Sequence, residues 1–273
     1  MSLVTGIRTP TPAADHMKAL YKVLDGSSEI LEMGATPPVD IFPFLAITLL
    51  AFVQAVAIYP DIKKAAQQEI DGTIGAERSP SWSDYSSLPY ISMVIKETMR
   101  WRPVMPTAFP HATSKECTID GMTIPAGSTV MINVWGLHHN DSIHNNPDEF
   151  NPSRYEGRTE LANVYASSPD YKNRDHYGYG AGRRICPGIH LAERGLFIAI
   201  VKMLWAFETT PTVYSTGSTM PIDCDPATGY SDGFLRCPLP FAVDFKLRSE
   251  ERGRSIRAEL RKAEEDVLSH YET

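Results

Sequence analysis

A mainly α-helical chain with small antiparallel β-sheets is what this sequence predicts, on three observations. Residues 91–101 and 189–207 read as helices, the second with an amphipathic pattern. Residues 41–59 are an almost wholly apolar run, broken only by Thr48 and Gln54. Residues 117–133 alternate β-prone side chains around turns at Asp120-Gly121 and Pro125-Ala126-Gly127, which predicts a hairpin.

The apolar run is nearly long enough to span a bilayer. Pro43 sits near its start, and Tyr59-Pro60-Asp61 closes it with a turn and a cap for a following helix. A buried core helix is therefore preferred to a membrane span. After Arg248 the chain becomes strongly charged, with Glu250, Glu251, Arg252, Arg257, Glu259 and Arg261, and reads as a solvated surface helix.

With 273 residues the chain can bury a sizeable core, and one domain or slightly more is expected. A net charge of −7 argues against a nucleic-acid partner. The four cysteines are scattered, which suits a reducing compartment better than a disulfide framework. Residues 1–13 lack the apolar core of a signal peptide, and no membrane anchor is evident.

The chemistry concentrates in Tyr179-Gly180-Ala181-Gly182-Arg183-Arg184-Ile185-Cys186-Pro187-Gly188. Its glycines permit positive φ and close backbone approach to a large flat ligand. Pro187 suits a first helical turn, so Cys186 is expected at a helix N-terminus, with a lowered thiol pKa. A zinc site would need further Cys or His ligands at short spacing, and Cys117, Cys224 and Cys237 supply none. A P-loop would end in Gly-Lys-Ser/Thr, and a dinucleotide loop would follow a strand, whereas residues 171–176 are polar. An inert buried cysteine is the common alternative for a lone thiol.

The segment resembles the haem-binding signature of the cytochromes P450. The resemblance implies haem b with Cys186 as axial thiolate ligand to iron, Arg184 facing a propionate, and Gly182 and Gly188 as close-approach positions. Tyr179 stands where that family usually has phenylalanine. Glu97 and Arg100 are similar to the family's Glu-x-x-Arg helix pair, and residues 146–155 resemble the segment that supplies a further arginine, here Arg154. The resemblance implies that these three form a buried charge network. His111, after Pro110, is a candidate propionate partner or an ordinary packed strand residue. Val104 to Phe109 and the turn near Tyr230-Ser231-Asp232 would line the substrate side.

The family is about twice this length, so an incomplete P450 fold is implied, with apolar surface exposed where absent helices would pack. Residues 1–45 resemble the substrate-roof connection. Residues 46–248 would run from the central helix to the haem-ligand loop and C-terminal sheet, and 249–273 form the charged tail. Near residues 40–49 two family segments look fused, so the oxygen-site register falls on Phe42, Pro43 and Phe44. Thr48 lies too far along to serve there, Asp40 reads as a turn residue, and no proton-delivery pair is identified.

By family, the chain is a haem-thiolate monooxygenase inserting oxygen into a small lipophilic, fungal secondary-metabolite-type substrate. The family's electrons come from NADPH-cytochrome P450 reductase, commonly at the cytoplasmic face of the endoplasmic reticulum. Two other readings stay open: a truncated, inactive remnant or incomplete gene model, and a membrane-anchored interaction protein using residues 41–59.

Overall fold

The structure, a computed structural model, describes residues 41–170 and 173–266. Residues 1–40, which include Asp40 and most of the 1–45 stretch expected as the substrate-roof connection, and the last seven residues lie outside the described residues.

Helix α1 (Ile41–Ile58) is apolar on all sides and is therefore buried rather than amphipathic. Phe52, Ala55 and Val56 are at most 2 % exposed. Pro43 lies in its first turn, where a missing N–H interrupts nothing. Tyr59 breaks the helix and Pro60 opens α2 (Pro60–Thr73), with Asp61 favourably placed against the positive end of the helix dipole. The two axes bend by 105°. Among the described residues no single helix is long and apolar enough to cross a membrane.

Helix α3 (Pro89–Trp101) starts two residues before the predicted boundary, because Pro89 occupies its first position. Nearly all of it is buried, from Ile91 to Trp101. A short α4 (Val134–His138) and α5 (Ala162–Ser167) follow, and α6 (Ile189–Ala206) runs through the core. Leu196, Phe197 and Ile200 of α6 pack in one cluster with Phe52 of α1 and Ile91 and Val94 of α3.

Among the described residues the sheets are three antiparallel pairs. Strands β2 (Cys117–Ile119) and β3 (Met122–Ile124) form a tight hairpin. Asp120 and Gly121 both have positive φ, 49° and 79°, which matches the right-handed strand twist. The predicted hairpin over 117–133 is thus too long. Strand β4 (Thr129–Val130) pairs instead with β1 (His111–Ala112), nesting the hairpin inside an outer pair. Strand β5 (Phe207–Pro211) grows directly from α6 and pairs with β6 (Val243–Leu247).

Helix α7 (Glu250–Asp266) is docked, not merely solvated. Asp71 of α2 accepts hydrogen bonds from both Arg248 and Arg252. Ile256 is buried in the main core, and Ser255 donates to the Glu77 carbonyl. Several large apolar side chains remain open, among them Met122 at 64 % and Phe109 at 55 % exposure.

Candidate functional site

The cysteine loop is fixed by its own backbone. The Gly180 N–H donates to the Tyr177 carbonyl, and the Cys186 N–H returns to the Tyr179 carbonyl, each at 2.9 Å. Gly182 has φ 62°, a left-handed conformation that glycine adopts without strain, and a methyl group placed there would meet nothing within 4 Å. Gly188 has an ordinary φ of −83° and caps α6.

Cys186 therefore lies three residues ahead of the first helical residue, not inside the first turn. Its thiol is pushed up by burial, and the Gly188 N–H only partly opposes that. The expected lowering by the helix terminus is overturned, because desolvation outweighs it. A coordinating metal would deprotonate such a thiol outright. The half-buried sulfur, a single N–H aimed at it, and open space beside Gly182 fit a flat, thiolate-ligated group.

Tyr179 is buried below the loop, its ring 5.4 Å from that of His176. Arg184 is exposed in the one-turn 3-10 helix Gly182–Arg184. His111 is exposed on β1 opposite Val130, in a pair separate from the loop.

Glu97, Arg100 and Arg154 come together. The buried Glu97 carboxylate receives Arg100 Nε at 2.7 Å and Nη2 at 2.8 Å, a bidentate pair. Arg154 Nε at 3.3 Å and the Asn151 N–H at 2.8 Å complete its shell. The remaining guanidinium N–H groups satisfy carbonyls. Arg100 donates to His138 and Pro147, and Arg154 to Asn146. Helix α3 thus holds the irregular segment 145–155 by its backbone.

Several residues here were not anticipated from sequence. Arg174 donates to the carbonyls of Ala166, His176 and Gly180, bracing the approach to the loop. Lys96 and Asp175 form a fully buried ion pair at 3.0 Å. His138 Nε2 accepts the Tyr177 N–H at 2.8 Å, leaving its Nδ1 without a partner among the described residues. None of these had a motif to announce it; the partners of Lys96 and His138 lie 79 and 39 residues away, and those of Arg174, though near in sequence, are backbone carbonyls.

The Arg236 N–H donates to the Val104 carbonyl, bringing segment 104–109 beside the 230–236 turn. Phe109 and Phe234 then pair at 5.3 Å. Behind this segment is a cavity of about 390 Å³ bordered by Arg102, Pro106, Trp135 and Tyr230, which the cysteine loop does not line. Thr48 donates to its own helix at the Phe44 carbonyl, 2.9 Å away, so its hydroxyl is already engaged.

Comparison with known proteins places this arrangement. The sequence model described as "Cytochrome P450" matches residues 45–241. The chain is 40 % identical to cytochrome P450 monooxygenase yanC of Aspergillus niger, over 99 % of this chain and 66 % of that protein. It is 48 % identical to cytochrome P450 monooxygenase acuD of Aspergillus aculeatus, over 97 % of this chain and 64 % of the relative. A zebrafish cytochrome P450 structure with progesterone superposes with a TM-score of 0.62 at 26 % identity, covering 74 % of this chain and 43 % of that one. The chain spans about two thirds of the length of these fungal relatives. With the cysteine loop, the carboxylate–guanidinium helix and the matched stretch all in agreement, this chain belongs to the cytochrome P450 family.

Proposed function

We propose that this chain carries the haem-thiolate part of a fungal-type P450 monooxygenase, with Cys186 as the axial ligand. The observation that carries the reading is the closed backbone loop that presents a half-buried Cys186 sulfur beside the open space at Gly182. Haem b held there would supply the redox chemistry by which the family inserts one oxygen atom into an organic substrate, thiolate donation favouring O–O cleavage.

The chain's own residues have simpler tasks. The Gly188 N–H steadies the sulfur as an anion. Arg184 and His111, both exposed, would be partners of the propionates. Glu97, Arg100 and Arg154 hold α3 against segment 145–155. Segment 104–109 and the 230–232 turn would face a small lipophilic substrate of the secondary-metabolite kind. Electrons would come from an NADPH-cytochrome P450 reductase at the cytoplasmic face of the endoplasmic reticulum, as in the family.

One observation favours a second reading, that the chain as given is a catalytically inactive remnant or an incomplete gene model. Its alignment with the Aspergillus niger relative runs over 355 positions, although the chain has 273 residues. The relative therefore has residues inside the matched stretch without counterparts here. The interaction-protein reading is weaker, because residues 51–57 of α1 are buried in the core.

The reduced, carbon-monoxide-bound spectrum of the purified chain tests the ligand. A thiolate-type band is expected, and its loss in Cys186→Ala. Unchanged pigment uptake and spectrum in that variant would remove Cys186 from the role. Turnover with reductase and candidate substrates should yield no product, and sustained product formation would overturn the second reading.

A further inference from the structure

Helix α3 presents two consecutive charged residues that are both fully buried, and they serve different partners. Glu97 takes Arg100 and Arg154, as above. Lys96 points elsewhere, its Nζ 3.0 Å from Asp175 Oδ2 and 2.9 Å from the Glu160 carbonyl, over the Tyr165 ring at 4.6 Å. The two side chains are 3 % and 1 % exposed.

Asp175 sits four residues before Tyr179 and is bound on every side. Its Oδ1 accepts the His176 N–H at 2.7 Å, and its backbone carbonyl accepts the Tyr155 hydroxyl at 3.1 Å. The His176 ring is 3.8 Å away, but burial holds its pKa at about 4, so that ring is uncharged at neutral pH. Tyr155 follows Arg154, which binds Glu97, which directly follows Lys96. The contacts form a closed circuit through residues 96, 97, 154, 155 and 175. An apolar pair of similar volume would often be as stable as a buried ion pair, so its presence calls for a reason beyond stability. The circuit supplies one: it fixes where the chain enters the cysteine loop relative to α3.

We propose that Lys96 and Asp175 are positioning residues for the cysteine loop, a second ion pair acting in parallel with Glu97, Arg100 and Arg154. The pair sets the loop entrance at residues 175–179, and through the Tyr179 carbonyl, which binds the Cys186 N–H, it sets the sulfur. The role toward haem rests on the haem-thiolate reading; the role toward the sulfur's position does not.

The test uses the full chain and two readouts. In Lys96→Met/Asp175→Asn the charges are gone while the asparagine Oδ1 still accepts the His176 N–H. The haem-free protein is treated with iodoacetamide and labelling at each cysteine is followed by mass spectrometry. Cys186 should react about tenfold faster than in the native chain, with Cys224 unchanged, since local opening is governed by the contacts that close it. In haem-loaded protein the thiolate-type carbon-monoxide band should fall, even where the thermal midpoint is unchanged. Native Cys186 labelling in the folded double variant overturns the proposal. A native chain without any thiolate-type band removes the haem reading alone, and the labelling comparison still decides the pair. If the double variant does not fold, Asp175→Glu decides: it keeps the ion pair and should protect Cys186 as the native chain does, and raised labelling there overturns the proposal.

Discussion

Glu97 accepts four hydrogen bonds, three from guanidinium groups and one from the Asn151 backbone. In Glu97→Ala, Arg100 becomes a buried cation without an anion, and breaking such a pair costs about 3–5 kcal/mol. The expected outcome is a chain that unfolds at clearly lower urea and takes up no haem; normal haem content in a folded Glu97→Ala protein would refute the role. This pair was legible in sequence, because residues three apart share a helix face. Lys96 was not, since its neighbour's motif says nothing about a side chain pointing a third of a turn away. Asp175, 79 residues on, gave no local signal either. Cys186 was legible as a ligand candidate, but its raised pKa was not, because desolvation depends on what packs around the loop.

Elements were read best where one face decided them. Helices α3 and α6 were found within two residues of their observed bounds. The outer pair β1–β4 was missed because its two strands are separated by a complete hairpin, and only tertiary structure shows that pairing. At this scale α2 also closes the end of α6. Gln67 Nε2 donates to the Leu204 and Phe207 carbonyls at 3.2 and 3.1 Å, satisfying groups that a helix C-terminus leaves open. Gln67→Leu should destabilise the chain by about 1–3 kcal/mol, the usual effect of leaving a buried acceptor unmet, here the Phe207 carbonyl, since Arg248 still donates to that of Leu204. Urea denaturation measures it, and a midpoint equal to the native one would refute the assignment. Ile256→Asp should release α7, seen as fast hydrogen exchange over residues 250–266 while α6 stays protected.

For the whole molecule, two buried histidines, His138 and His176, and two half-buried ones, His139 and His144, oppose protonation as pH falls. Burial depresses the pKa of His139, His144 and His176 to about 4, and that of His138 well below 6.5. The unfolded chain binds these protons near pH 6.5, while the folded chain resists them. Stability is therefore full above pH 6.5 and is lost as pH falls toward 4, by at most about 1.4 kcal/mol per pH unit for each fully buried ring. Urea midpoints across that range should drop steeply, and a flat profile would show that the rings titrate in the folded state. Phe109 and Phe234, whose rings lie 5.3 Å apart, leave apolar surface open to solvent.

Asp71 is shared, one carboxylate serving two guanidinium groups on the last strand–helix junction. Arg248 sits close enough to Arg252 to disfavour its charge. Removing either arginine deletes one attraction and relieves that antagonism. Removing the aspartate deletes both attractions and leaves two cations facing each other. Losing the single anion should thus loosen the C-terminal end more than losing either cation, an ordering that single substitutions compared at low and high salt would expose.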